Sequence, residues 1–142
     1  MAYADLDNDG DLDMVINNID QKASLLRNNN HGANHLRIKL KGATKNPMGI
    51  GAKVKLTTDG TVQWVEQNLT RGFQSSVEPI LHFGLGEADK IDELEILWPD
   101  GKIENQRNIA SNQTLMLDYE NAKKIEREAQ KVTPIFEDVS AS

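Results

Sequence analysis

Hydrophobic and polar residues alternate with a period of two in several segments of this chain, which is the pattern of a β-strand with one buried face. In His35–Leu40 the residues Leu36, Ile38 and Leu40 share one face, and Arg37 and Lys39 share the other. Residues 52–57 alternate in the same way. Further short strands are predicted at residues 12–18, 24–27, 61–69, 79–83, 94–98, 102–104 and 114–117.

Turn residues separate these strands at short intervals. Asp59-Gly60 predicts a tight hairpin turn, and Pro99-Asp100-Gly101 predicts a second turn in which proline pre-sets φ and glycine accepts a positive φ. Many short strands with frequent turn signals are typical of an antiparallel β-sandwich or a barrel-like fold. The sequence therefore predicts an all-β protein, an antiparallel sandwich or barrel-like module that begins with a short N-terminal hairpin.

The character of the chain changes after residue 118. Residues 119–131 are rich in helix-forming residues and carry only a narrow apolar stripe, which predicts a short, solvated C-terminal helix. We assign residues 119–133 to a helical linker. Phe136-Glu137-Asp138-Val139-Ser140 resembles the opening of an FG-GAP repeat, which assigns residues 134–142 to the start of a further, truncated repeat. Because an acidic segment at residues 5–13 lies almost at Met1, we expect the chain to be a fragment of a longer protein.

Composition narrows the functional classes. The net charge of −6 and the lack of a basic stripe argue against nucleic-acid binding. The chain has no cysteine, which excludes disulfides, thiol catalysis and cysteine-based zinc sites. No apolar run approaches the roughly 20 residues of a membrane-spanning helix.

An acidic loop at residues 5–13 carries the clearest chemical signal. It places aspartates at alternate positions over nine residues: Asp5, Asp7, Asp9, Asp11 and Asp13. Such close carboxylates repel one another unless a cation neutralises them. Gly10 stands at the sixth position, where a calcium loop turns sharply. The spacing predicts a calcium site with side-chain oxygens from Asp5, Asp7, Asp9 and Asp13 and the backbone carbonyl of Asp11; the alternative is an acidic loop that binds no specific ion.

An EF-hand does not fit this loop. Its twelfth position should be a bidentate glutamate, but that position is Ile16, and the following segment is β-rich rather than helical. The pattern D-x-D-x-D-G-x-x-D running into a strand resembles the calcium loop of FG-GAP (VCBS-type) repeats, which form propeller blades. We assign residues 1–30 to a partial repeat of this kind.

Four short motifs further along the chain resemble the ASPIC/UnbV domain of cartilage acidic protein-like proteins. They are Gly49-Ile50-Gly51-Ala52, Gly72-Phe73-Gln74-Ser75, His82-Phe83-Gly84-Leu85-Gly86 and Trp98-Pro99-Asp100-Gly101. The resemblance assigns residues 31–118 to this domain. It implies a large exported protein, located outside the cell, at the cell surface or in the periplasm, with a binding, adhesion or structural role. No reaction is implied.

Two tryptophans offer a second hypothesis. Trp98 and Trp64 could fill the core or present an aromatic face to a sugar ring, and Trp98, at a strand end beside Pro99, is the better platform candidate. Carboxylates such as Glu78 and Glu95 are present, but nothing brackets a catalytic site, so we expect no enzyme. The favoured function is a non-catalytic calcium-binding module that contacts a glycan or a surface protein; a carbohydrate-binding module and, less favoured, part of a glycan-processing enzyme are the alternatives.

Overall fold

The computed structural model describes residues 1–29 and 32–124, and these residues fold mainly into β-strands. The strands, in chain order, are β1 (Ala2–Ala4), β2 (Asp13–Ile16), β3 (Ser24–Leu26), β4 (Asn34–Lys41), β5 (Lys53–Thr58), β6 (Thr61–Glu66), β7 (Thr70–Gly72), β8 (Ser75–Ser76), β9 (Ile80–Gly86), β10 (Lys90–Leu97), β11 (Lys102–Ala110), β12 (Gln113–Asp118) and β13 (Lys123–Lys124). The all-β prediction is confirmed.

Two sheets form a sandwich. A five-stranded sheet has the order β13-β11-β10-β5-β6, and a three-stranded sheet has the order β12-β4-β9. Side chains from both sheets meet in one buried hydrophobic cluster that includes Leu36, Leu56, Phe83 and Ile96. In the described part of the chain the sheets do not close into a barrel.

The alternating pattern places the core side chains as the sequence predicts. On β4, Leu36 and Ile38 are fully buried and Leu40 nearly so, while Lys39 on the opposite face is exposed. Burial of these large aliphatic side chains is the main force that joins the two sheets, at roughly 1.5–3 kcal/mol for each side chain removed from water.

Among the strands of residues 1–29 and 32–124, pairing is antiparallel with one exception. β12 runs parallel to β4, so that Leu115 lies beside Ile38 and Leu117 beside Leu40. The predicted antiparallel pairing therefore does not hold between β4 and β12. Strand patterning shows which face is buried but not the direction of a partner strand, since both pairings have the same period.

Both predicted turns are confirmed. Asp59 and Gly60 have φ values of 47° and 76° between the paired strands β5 and β6, which is the backbone that an Asp-Gly hairpin turn requires. In the second turn the Gly101 amide donates to the Trp98 carbonyl at 2.9 Å and joins β10 to β11.

The predicted C-terminal helix is wrong where the structure describes it. Tyr119–Asn121 forms a single 3₁₀ turn, and Lys123–Lys124 then pairs with β11. Tyr119 packs against the core and its hydroxyl bonds to Asp100 and Lys102, both at 2.7 Å. The segment is rich in helix-forming residues, but helix propensity is a small energetic preference, and these tertiary contacts outweigh it. Residues 125–133 of the predicted linker and residues 134–142 of the predicted repeat lie outside the described residues.

Of the two roles predicted for Trp98, the core position is confirmed and the exposed platform is contradicted. Its side chain is only 2% exposed and belongs to the hydrophobic core. The indole meets Tyr119 edge to face, with ring centroids 5.4 Å apart. Trp64 on β6, by contrast, is 57% exposed.

The N-terminal segment forms a separate hairpin sheet with the order β1-β2-β3. Hydrogen bonds connect this hairpin sheet to the rest of the protein, among them Asp5 with Arg37, Tyr3 with Arg71, and the Met1 amino group with Ser75. The described residues contain no helix with the length and hydrophobicity needed to cross a membrane.

Candidate functional site

The acidic loop connects β1 to β2 and is folded by two residues with positive φ. Asn8 has a φ of 60° and Gly10 a φ of 98°. The predicted sharp turn at Gly10 is therefore confirmed. The chain folds back so that the backbone amides of Asp9 and Gly10 point at the carboxylate of Asp5, at 3.1 and 3.2 Å.

This turn brings three of the five predicted carboxylates together. Asp5, Asp7 and Asp9 each place one carboxylate oxygen within 4.8 Å of the other two. Calcium binds oxygen ligands at about 2.3–2.6 Å, so oxygens on opposite sides of one ion lie about 5 Å apart. The spacing of the three carboxylates is compatible with a single ion.

Asp5 connects the acidic loop to the sandwich. Its side chain is 1% exposed, and Oδ2 accepts a hydrogen bond from Arg37 Nη1 at 3.1 Å. With the two loop amides, Asp5 accepts three hydrogen bonds from described residues. A carboxylate offers about four acceptor positions, so one remains for another ligand.

Asp13 occupies a different position. Its Oδ2 accepts from the Leu6 amide at 3.2 Å and its Oδ1 from the Asn28 amide at 2.8 Å. It is buried and holds the two ends of the hairpin sheet together. The side chains of Asp13 and Asp11 are not part of the group of three. The contribution predicted for the Asp11 carbonyl remains a prediction.

Arg27 neutralises part of the loop charge. Its Nη2 atom lies 2.6 Å from Asp7 Oδ2 and 3.7 Å from Asp9 Oδ2. The Arg27 side chain is 60% exposed, so it can leave these carboxylates at little cost. Carboxylate oxygens are hard ligands of the type that calcium prefers, so these side chains fit a calcium ion. Arg27 would compete with the ion for the same oxygens.

The loop also rests on two stacked histidines that the sequence pattern did not identify as partners. His35 on β4 and His82 on β9 stack with centroids 5.6 Å apart and ring planes inclined by 15°. A methyl group on Gly10 would stand 2.1 Å from His35 Cε1, so the loop backbone lies directly on the imidazole. Burial of His82 is the main reason why its pKa is lowered, with smaller contributions from His35 and Arg37.

Sequence reasoning missed Arg27, Arg37 and His35 because they are distant in sequence from the carboxylates or appear on a polar strand face. Arg37 is separated from Asp5 by 32 positions. A single signal was available: Arg37 is an arginine near the middle of a strand whose opposite face is entirely aliphatic. An arginine at such a position can either face solvent or pair with a buried acidic side chain, and the pattern alone does not distinguish these two cases.

Comparison with known proteins identifies the larger part of the chain. A curated relative, cartilage acidic protein 1 of Xenopus tropicalis, is 32% identical over 108 residues, which cover 72% of this chain. The chain spans only 16% of the length of that relative. The family described as ASPIC and UnbV matches residues 42–124, more than half of the 142 residues. The chain belongs to the ASPIC and UnbV family.

Proposed function

We propose that this chain is a calcium-stabilised, non-catalytic module of a larger exported protein, with a binding, adhesion or structural role. The observation that supports it best is the convergence of the Asp5, Asp7 and Asp9 carboxylates within 4.8 Å of one another. The resemblance of the loop to FG-GAP repeats and the similarity to cartilage acidic protein 1 are consistent with this proposal. An extracellular, surface or periplasmic location is part of the same proposal.

Calcium would supply two positive charges at the point where the loop carboxylates converge, and so remove their mutual repulsion. Asp5, Asp7 and Asp9 would hold the ion, and Asp13 would hold the two hairpin ends in place. Asp5 would transmit the ordered loop conformation to β4, because Arg37 bonds to the same carboxylate. In this role the site fixes the hairpin sheet against the sandwich.

Calcium at 1 mM is expected to raise the melting temperature, and Asp7→Asn is expected to abolish most of that increase. With a Kd of about 0.1 mM, the ion would add about 1.4 kcal/mol to the free energy of unfolding. For a chain of this size that corresponds to about 5 °C. Thermal unfolding in calcium and in EDTA, followed by circular dichroism, measures both quantities.

Asp7 is the best position for this test because its only described side-chain contact is the ion pair with the exposed Arg27. In EDTA, Asp7→Asn should therefore change stability by no more than about 0.5 kcal/mol. Asp59→Asn is the matched control: it removes the same charge in the β5–β6 turn, where asparagine also accepts a positive φ. An equal increase in melting temperature with magnesium, or an undiminished calcium effect in Asp7→Asn, would contradict the proposal.

A second candidate function is glycan binding at Trp64, favoured by the 57% exposure of this ring. Val62 is also exposed on the same strand, and Lys55 Nζ lies 5.8 Å from the centroid of the Trp64 ring. An exposed indole with an adjacent cation suits a sugar ring that carries a polar edge. Trp98 has no part in this proposal because it is buried.

Trp64→Ala is expected to remove any glycan-array signal of the wild-type protein, because the stacking face is lost. Val62→Ser is the control, since it makes the same surface more polar and leaves the indole in place. A signal that survives Trp64→Ala would show that the glycan binds elsewhere on the protein. The absence of any array signal for the wild-type protein would eliminate this function.

A further inference from the structure

A cavity lies where the hairpin sheet meets the sandwich. It has a volume of about 140 Å³, and its lining includes Tyr3 and Leu12 from the hairpin side and Arg71, Val77 and His82 from the sandwich side. Most of the lining is hydrophobic. A volume near 150 Å³ accommodates a molecule of about six heavy atoms, such as benzene.

Arg71 provides the charged group of this cavity. Its Nε donates to the Tyr3 hydroxyl at 2.5 Å, and its guanidinium carbon lies 5.7 Å from the centroid of the Tyr3 ring. Nη1 makes only a long bond of 3.4 Å to the Thr70 carbonyl. Among residues 1–29 and 32–124, no carboxylate lies within 4.0 Å of the Arg71 guanidinium. The cation is held in position but not neutralised.

The other polar groups of the lining do not cancel this charge. Glu78 is the acidic residue of the lining, and its Oε1 is directed to Arg37 Nη2 at 3.5 Å. His82 also lines the cavity, but its Nδ1 atom is buried and has no hydrogen-bond partner in the described part of the chain, so it is not among the groups that a ligand would reach. The cavity therefore combines hydrophobic walls with one unneutralised guanidinium. A concave apolar site with a few convergent polar groups is the usual form of a small-molecule site.

We infer that this cavity binds a small carboxylate with a short aliphatic group, held by the Arg71 guanidinium. The planar guanidinium fork matches a carboxylate better than any neutral polar group. The aliphatic part of the ligand would replace water against Leu12 and Val77. A ligand of this type bridges the hairpin sheet and the sandwich, and Arg71, its charged anchor, is not one of the residues of the proposed calcium site.

Butyrate, which has six heavy atoms, is the probe for a titration followed by ¹H–¹⁵N NMR. Saturable shifts are expected at the amides of Arg71, Val77 and His82, with a Kd of about 1–10 mM, since so small a ligand makes few contacts. The same amides are expected to shift in calcium and in EDTA, and binding is expected to be tighter in calcium, because the proposed calcium site fixes the hairpin side of the cavity. If calcium fails to stabilise the protein but butyrate still binds, the proposed function fails and this inference stands.

Arg71→Gln is expected to weaken butyrate binding about tenfold, because a hydrogen bond to a charged donor is lost. The residue is exposed, so the sandwich should stay folded, and Val77→Phe tests the cavity with the bond between Arg71 and Tyr3 intact. Arg107→Gln is the matched control: this arginine is also exposed, and its Nη2 bonds to Glu93 at 3.0 Å on the five-stranded sheet. Val77→Phe would fill the cavity without a change of charge and is expected to abolish binding.

Neutral butanol and cationic butylamine test the assignment of charge. Butyrate should bind more tightly than both. Butanol that binds as tightly as butyrate would overturn the carboxylate assignment, as would unchanged binding in Arg71→Gln. The absence of saturable shifts at the cavity residues at about 50 mM butyrate would overturn the site itself.

Discussion

Replacing Trp98 with alanine is expected to lower the free energy of unfolding by about 4 kcal/mol, since truncation of a buried large aromatic side chain typically costs about 3–5 kcal/mol. The indole is 2% exposed and follows directly after β10. Two structural elements close around it. A methyl group on Gly49 would stand 3.1 Å from Trp98 Cζ3, and Tyr119 contacts the ring from the side of the 3₁₀ turn. The cavity left by alanine is therefore bordered by backbone and a second ring, which limits relaxation.

Trp64→Ala is the matched control for this substitution. It removes the same number of atoms from a side chain that is 57% exposed on β6, and its expected cost is below about 1 kcal/mol. Urea unfolding of the two variants measures the difference. Equal losses would contradict the assignment of Trp98 to the core and restore it as a surface residue.

A second measurement reports the local effect of Trp98→Ala. The hydrogen bond that the Tyr119 hydroxyl donates to Asp100 is the main reason why the pKa of Asp100 is lowered. The hydrogen bond that the same hydroxyl accepts from Lys102 is the main reason why the pKa of Lys102 is raised. When Tyr119 loses its packing partner, both pKa values should move back towards their ordinary ranges. NMR titration of Asp100 detects this change as long as the variant stays folded.

The core was predictable from sequence because it depends on local periodicity. Leu36, Ile38 and Leu40 alternate with polar residues, and a strand has only two faces, so one burial pattern is possible. The Asp59-Gly60 turn was predictable for a similar reason, since few residue pairs adopt its backbone. Each inference uses residues within about six positions of one another.

The parts that could not be predicted depend on distant contacts. The burial of Trp98 depends on Gly49 and Tyr119, and the absence of a helix at 119–124 depends on the hydrogen bonds of Tyr119 to Asp100 and Lys102. The carboxylate spacing of the acidic loop predicted that the side chains of Asp5, Asp7, Asp9 and Asp13 converge, and the first three of these lie within 4.8 Å of one another. It could not predict that Asp13 would instead hold the hairpin ends, because its partners are the amides of Leu6 and Asn28.

Replacing Gly10 with alanine is expected to lower the free energy of unfolding by about 3 kcal/mol. Two costs combine. A side chain at a φ of 98° is strained by about 1–2 kcal/mol, and an added methyl group in a packed contact costs about 1–3 kcal/mol more. The new methyl group would lie 2.1 Å from His35 Cε1. The imidazole has little room to move because its ring is stacked on His82.

Gly101→Ala separates the two costs. Gly101 has a similar φ of 85°, but a methyl group there would meet nothing within 4 Å. This variant should show only the backbone strain of about 1–2 kcal/mol. The double variant Gly10→Ala/His35→Ala should recover the steric part, and a double-mutant cycle with His35→Ala isolates the coupling between the two positions.

The same variant tests whether the acidic loop and the sandwich act as one unit. If His35 holds the loop in the conformation that gathers Asp5, Asp7 and Asp9, then Gly10→Ala must also reduce the calcium-dependent rise in melting temperature, whereas Gly101→Ala must leave it unchanged. A Gly10→Ala protein that is as stable as Gly101→Ala would show that the loop moves off His35 without cost. A destabilised protein with a full calcium response would show that the carboxylates converge without support from the sandwich.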